Sequence, residues 1–264
     1  MNTLIISSSF TFYKLDEQNN KIPTVIDNNN GFLDMLKSEL KTRKCMLVIS
    51  GKPDKVRMSD PLDITRAGFA KSGIPFDEYI YLDSRNMHNL DKYLRIADCI
   101  DLCGGHLPTC NEFINRIKLK DKISQFKGVI IGASGGGMNL AGEVYCKPEE
   151  QGEALNENFN KSLKGLALTN ISIVPHFNVI RSKTLDGKRI LQDILLPDSM
   201  NKKLIALNDG SYIVQKGDRA VIHGEAYQIY KGKLTQICEN DRTCTLVNVS
   251  GHESFIKYML GENI

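Results

Sequence analysis

The sequence predicts an α/β fold of three layers, a mainly parallel sheet between helices, with an antiparallel extension toward the C-terminus. Two observations carry this expectation. Short β-branched apolar runs at 4–7, 45–49, 79–82, 99–102, 128–131 and 171–174 recur along the chain. The early ones alternate with helix-like stretches at 31–41, 60–72 and 108–116, the rhythm of repeated βα units. Beyond residue 200 the runs 203–206, 211–214, 220–223 and 226–230 crowd together. They are joined by "NDGS", "QKGD" and "YKGK", turn chemistry that suits antiparallel strands.

The bulk properties agree with a globular chain. A protein of 264 residues buries roughly 70–75% of the surface its unfolded chain exposes, enough for a core without covalent staples. There are no internal repeats, low-complexity tracts or long linkers, so one domain over 1–264 is expected. The 34 basic and 31 acidic residues leave a net charge of +3 and are well mixed. The densest basic group, residues 41–44 with Lys52, Lys55 and Arg57, reads as a solvated face, and nucleic acid is not an expected partner. No apolar run approaches the ~18 residues of a membrane span. The opening "MNTLIISSSFTFYKLDE" lacks a basic n-region and reads as a first strand rather than a signal peptide. No membrane partner is expected. Seven cysteines (45, 99, 103, 110, 146, 238, 244) form no CxxC and do not combine with histidines at metal-ligand spacing. Reduced thiols, a cytoplasmic location, no metal and no cofactor are the expectation.

Ligands of open α/β sheets bind beyond the carboxyl ends of the strands, and two glycine-rich junctions fall there. One is "DLCGGHLPT", containing Gly104 and Gly105. The other is "GVIIGASGGGMNLA" at 128–141. Neither the phosphate-loop spacing GxxxxGK[ST] nor the dinucleotide spacing GxGxxG occurs in the second. What occurs is Gly132-Ala133-Ser134-Gly135-Gly136, the GxSxG nucleophile elbow. An apolar strand precedes it and the helix-capable "MNLAGEVYC" follows. In such an elbow the serine holds a strained conformation at the strand–helix junction. Glycines let strand and helix approach, and free N–H groups at the helix start face a developing oxyanion.

A serine needs a base. Five histidines are available, at 88, 106, 176, 223 and 252, and Asp209 in "LNDGSY" follows an apolar strand. The order serine–acid–histidine would combine Ser134, Asp209 and His252. The order serine–histidine–acid would combine Ser134, His176 and Asp209. Spacing does not choose between them, and Asn-Asp-Gly by itself reads first as ordinary hairpin-turn chemistry.

Taken together, the GG turn, the G-x-S-x-G elbow, "PHF" at 175–177 and an apolar strand ending in acid-Gly resemble the peptidase E family of serine peptidases. That family comprises aspartyl dipeptidases and cyanophycinase-like relatives on a class I glutamine amidotransferase-like fold. Runs such as "GGHLPTCNEF", "YCKPEEQGEAL" and "ALNDGSY" resemble a bacterial subgroup of it. The resemblance implies Ser134 as nucleophile, His176 as general base and Asp209 as third member, where the family often has glutamate. It implies an oxyanion hole from the N–H of Gly135 and of Gly105, a small peptide or amide as substrate, and a monomer or homodimer. His106, Arg181 and Arg189 are the candidate substrate contacts. Two positions depart from the family pattern. Gly135 stands where alanine is usual (S-A-G), and Gly104-Gly105-His106-Leu107-Pro108-Thr109 stands where GGNT is usual. Amidotransfer is not expected, because the elbow carries serine and not cysteine. The contrasting expectations are a non-catalytic amidotransferase-like scaffold binding a small metabolite or partner, and an esterase with His252 as base.

Overall fold

The structure is a computed structural model that describes residues 2–55, 62–247 and 249, with residues 257–259 described as backbone. A nine-stranded sheet runs through it in the spatial order Lys257–Met259, Thr243–Val247, Arg219–His223, Tyr212–Lys216, Thr3–Ser7, Val129–Ala133, Cys99–Leu102, Cys45–Ile49, Glu78–Leu82. From Thr3–Ser7 through Glu78–Leu82 every pairing is parallel. On the other side of Thr3–Ser7 every pairing is antiparallel. The N-terminal strand is therefore the seam between a βα-built half and a hairpin-built half.

The strands Cys45–Ile49 and Cys99–Leu102 are buried along their whole length, as strands covered on both faces must be. Alternate residues serve the two faces. Leu4, Ile6, Leu47, Ile49, Ile100, Leu102 and Ile130 join one core cluster; Ile5, Met46, Val48, Cys99 and Ile131 join the other. Helix Leu107–Arg116 covers the first face, with Pro108 in its first turn and Leu107, Cys110, Phe113 and Ile114 inward, an apolar stripe at helical spacing. Helices Phe32–Glu39 and Asp63–Lys71 cover the second through Phe32, Leu33, Leu36 and Phe69.

The C-terminal third divides where the sequence suggests one extension. Strands Leu204–Leu207, Ala226–Tyr230 and Lys233–Cys238 build a separate four-stranded sheet with Ile173–Val174. The run at 171–174 is thus no sixth member of the parallel series. Both sides of Thr3–Ser7 are already filled, by Val129–Ala133 and Tyr212–Lys216, so this segment pairs with Leu204–Leu207 instead. The small sheet lays Ile173, Ile205 and Leu207 on the first core face. It covers Val174, Leu204 and Ala206 with Phe177, Ile180, Ile194 and Leu195. Among the described residues no helix is long and apolar enough to cross a membrane.

Candidate active site

Ser134 follows the buried strand Val129–Ala133 and precedes a single helical turn, Gly135–Met138. The helix is shorter than the sequence suggests. Three consecutive glycines are poor helix formers, and Asn139 turns its amide back to the Gly135 carbonyl oxygen at 2.8 Å. At Ser134 φ is 52° and ψ is −121°, a conformation costly for a residue with a Cβ and retained only where the surroundings impose it. Close backbone approach imposes it here. A Cβ on Gly136 would stand 1.9 Å from the Leu102 carbonyl oxygen, and one on Gly132 would stand 2.7 Å from Gly137 Cα. The strand end is tied from its other side, where the Ser134 N–H donates to the Ser7 carbonyl oxygen at 3.0 Å.

His176 enters from the end of Ile173–Val174 as the left-handed residue (φ 57°, ψ 35°) that starts the short helix Phe177–Ile180. That backbone turn brings the imidazole over the elbow. Its Nε2 lies 2.9 Å from Ser134 Oγ and its Nδ1 lies 2.7 Å from Asp209 Oδ1. With the carboxylate ionised, Nδ1 carries the proton and Nε2 is left to accept from the serine hydroxyl.

Asp209 sits between strands Leu204–Leu207 and Tyr212–Lys216, which belong to different sheets. "NDGS" is therefore a crossover and not a hairpin turn. The Asp209 N–H donates to Asn178 Oδ1 at 3.0 Å. Its Oδ1 also accepts from the hydroxyls of Ser8 (3.0 Å) and Ser9 (2.7 Å). Partial burial would raise this carboxyl, but the hydrogen bonds and charge of His176, with those of Ser9 and Ser8, outweigh it and hold Asp209 down at about 2. The two hydroxyls belong to "ISSSF", a stretch the sequence offered only as strand; its three serines in a row were the available signal.

The Gly104–Gly105 turn closes the other side. A Cβ on Gly104 would lie 3.6 Å from Ser134 Oγ, and one on Gly135 would lie 2.9 Å from the Gly105 carbonyl oxygen. At the first helical position, the Gly135 N–H has no intrahelical acceptor. A buried amide chain supports this corner: Asn111 Nδ2 donates to Asn139 Oδ1 at 2.7 Å and to the Lys164 carbonyl oxygen at 2.9 Å. Cys110 lies behind the turn with its sulfur 3.4 Å from the Gly51 carbonyl oxygen. Burial, with the charge of Glu149, pushes its thiol up to about 11, unsuited to nucleophilic work.

The remaining candidates spread outward. His106 contacts Thr109 Oγ1 (3.1 Å) and Glu153 Oε1 (3.3 Å). With Glu150 and Glu153 it forms a group whose ligand atoms all lie within 4.8 Å of one another. Glu153 Oε2 in that group already accepts the N–H groups of Glu149 and Glu150. Arg189 is engaged by Asp193 at 2.7 Å, and Arg181 is exposed beside Tyr227. Among the described residues no hydrogen bond joins either arginine to Ser134, His176 or Asp209. His252 lies outside the described residues. A cavity of about 730 Å3 opens at the opposite end of the parallel strands, lined by Asp98, Lys122, Phe126 and Gly128 among others, and no histidine or cysteine lines it.

Comparison with known proteins gives three findings. The chain matches no curated protein. Its fold is similar to the crystal structure of a candidate peptidase E protein from Listeria monocytogenes EGD-e, at a TM-score of 0.55 and 15% identity over 84% of this chain and 98% of that one. The model of Peptidase family S51 matches residues 62–223. That span runs from helix Asp63–Lys71, through the GG turn, the elbow and "PHF", to the end of strand Arg219–His223. The chain accordingly belongs to Peptidase family S51 and is a serine-type peptidase.

Proposed function

We propose that the protein hydrolyses the amide bond of a small peptide, such as a dipeptide, through an acyl-enzyme on Ser134. His176 acts as general base and Asp209 orients its ring. The observation that carries this reading is the unbroken path from Ser134 Oγ through the imidazole to Asp209 Oδ1, at 2.9 and 2.7 Å. Both distances are within the reach that proton transfer requires.

In the reaction, Ser134 Oγ attacks the scissile carbonyl carbon while Nε2 takes its proton. The imidazolium that results is stabilised by the ionised Asp209. The carbonyl oxygen becomes an oxyanion beside the elbow, where the N–H groups of Gly135 and Gly105 are the donors proposed for it. As the C–N bond breaks, Nε2–H passes its proton to the leaving amine. Water then repeats the sequence on the ester, releasing the acid and restoring the serine.

A fluorophosphonate probe, which reacts with activated serines, tests the assignment. Wild-type protein should be labelled and Ser134→Ala should not. His176→Ala should abolish labelling while His252→Ala leaves it largely intact. The opposite histidine pattern would move the base to His252. Absence of labelling in well-folded wild type would favour a non-catalytic scaffold. Turnover of Asp-X dipeptides, other dipeptides and small esters then identifies the substrate class.

A further inference from the structure

We propose that the three serines ending the N-terminal strand form the positioning element of this site, with Ser8 as the residue that holds His176 and Asp209 in register with Ser134. The inference rests on the reading of Ser134 as an activated nucleophile. It concerns residues that the family match, beginning at residue 62, does not reach.

Between them the serines touch every part of the relay. Ser7 accepts the Ser134 N–H on its carbonyl oxygen at 3.0 Å. The Ser8 hydroxyl accepts the His176 N–H at 2.7 Å and donates to Asp209 Oδ1 at 3.0 Å. The Ser9 hydroxyl donates to the same oxygen at 2.7 Å. One tripeptide thus contacts the proposed nucleophile, base and acid, which come from three separate places in the chain. Strand order makes this possible. Thr3–Ser7 lies between the strand that leads into the elbow and the strand that follows Asp209, so its carboxyl end opens between them.

Ser8 is fully buried and uses its hydroxyl in both senses, as acceptor for a backbone amide and donor to a carboxylate. The first bond holds the left-handed backbone of His176, on which delivery of the imidazole depends. The second, with that of Ser9, fixes which carboxylate oxygen faces Nδ1. A single buried side chain therefore couples the placement of base and acid.

The second-order rate of fluorophosphonate labelling, measured for wild type, Ser8→Ala, Ser9→Ala, Ser9→Thr and Ser134→Ala, tests the proposal. His176 and Asp209 are the charged partners of one another, and among the described residues no other titratable side chain pairs with either. Ser9→Ala should lower the rate roughly tenfold and Ser8→Ala further, the scale expected for losing charge-assisted hydrogen bonds. Ser9→Thr, which keeps a hydroxyl to donate to Asp209 Oδ1, should recover most of the lost rate. Unlabelled wild type would overturn the active-serine reading itself. Labelled wild type with folded alanine variants within twofold of it would overturn the positioning role alone. So would a Ser9→Thr rate no higher than that of Ser9→Ala, since the loss would then not come from the missing hydroxyl. Should Ser8→Ala fail to fold, Ser9→Ala, at a half-exposed position, decides by the same criteria.

Discussion

Asp209 Oδ1 lies 2.7 Å from His176 Nδ1, although the strands flanking Asp209 belong to different sheets and His176 comes from a third segment. This pairing sets the tautomer of the ring, and the first prediction follows from it. An amide at position 209 would be free to offer its NH2 to Nδ1, leaving the proton on Nε2, where it blocks acceptance from Ser134. Asp209→Asn should therefore reduce turnover or labelling by ~10³–10⁴-fold with the fold intact, measured beside a thermal melt of each protein.

The same carboxylate makes a pH prediction. Its ionisation is held at about 2 in the folded chain, below the ordinary aspartate value of 3.8. For a depressed acid, the stabilisation is present above the unfolded value and is lost as pH falls through the folded one. Asp209 is thus ionised throughout the range above pH ~4. The difference in melting temperature between wild type and Asp209→Asn should hold down to about pH 4 and fade below it, as thermal melts across pH 2–7 would show. A difference that fades well above pH 4 would contradict the depressed carboxyl.

Gly135 is the position where the family usually has alanine. Here a Cβ would stand 2.9 Å from the Gly105 carbonyl oxygen, closer than carbon and oxygen tolerate, and the obstacle is backbone. Gly135→Ala should push the Gly104–Gly105 turn away from Ser134 and lower the labelling rate about tenfold or more, with a smaller effect on melting temperature. The glycine that looks like a departure in sequence is matched to this chain's own turn.

Behind the elbow, Asn139 is buried and accepts from Asn111 while donating to the Gly135 carbonyl oxygen. Asn139→Ala removes both bonds and strips Asn111 of one acceptor. The expected cost is about 1–3 kcal/mol of stability, read as a lower denaturation midpoint in urea.

Asp101 is the buried carboxyl of strand Cys99–Leu102, and burial pushes it up to about 7. An acid raised in the folded state binds protons more tightly there than when unfolded. Its contribution therefore favours the fold below the unfolded value of about 3.8, fades as pH rises toward 7, and is a constant cost above that. Asp101→Asn should stabilise the protein at pH 8 relative to wild type and lose that advantage near pH 4, as thermal melts at both pH values would show.

Much of the scaffold was legible because its signals are local. Strand length, apolar alternation and turn residues act over a few positions, so the parallel half and the hairpin Tyr212–Lys216 with Arg219–His223 could be read from the chain, while strand Lys233–Cys238, mostly exposed, gave no apolar run to find. The division of the C-terminal strands into two sheets was not legible. It depends on which edges of Thr3–Ser7 were already occupied, a fact of packing and not of propensity.

The site divides in the same way. GxSxG together with its context, an apolar strand before and a helix-capable stretch after, placed Ser134 on an elbow, because the glycines let strand and helix approach there. Spacing by itself left the partner histidine open, with "NDGS" also readable as a hairpin and two chain orders possible; it was the family resemblance that pointed to His176 and Asp209. Only the tertiary structure brought together His176, 42 positions from Ser134, and Asp209, a further 33 on. It also added Ser8 from 201 positions away. Hydrogen bonds over such separations are selected by the register of whole strands, and register is a property of the assembled sheets.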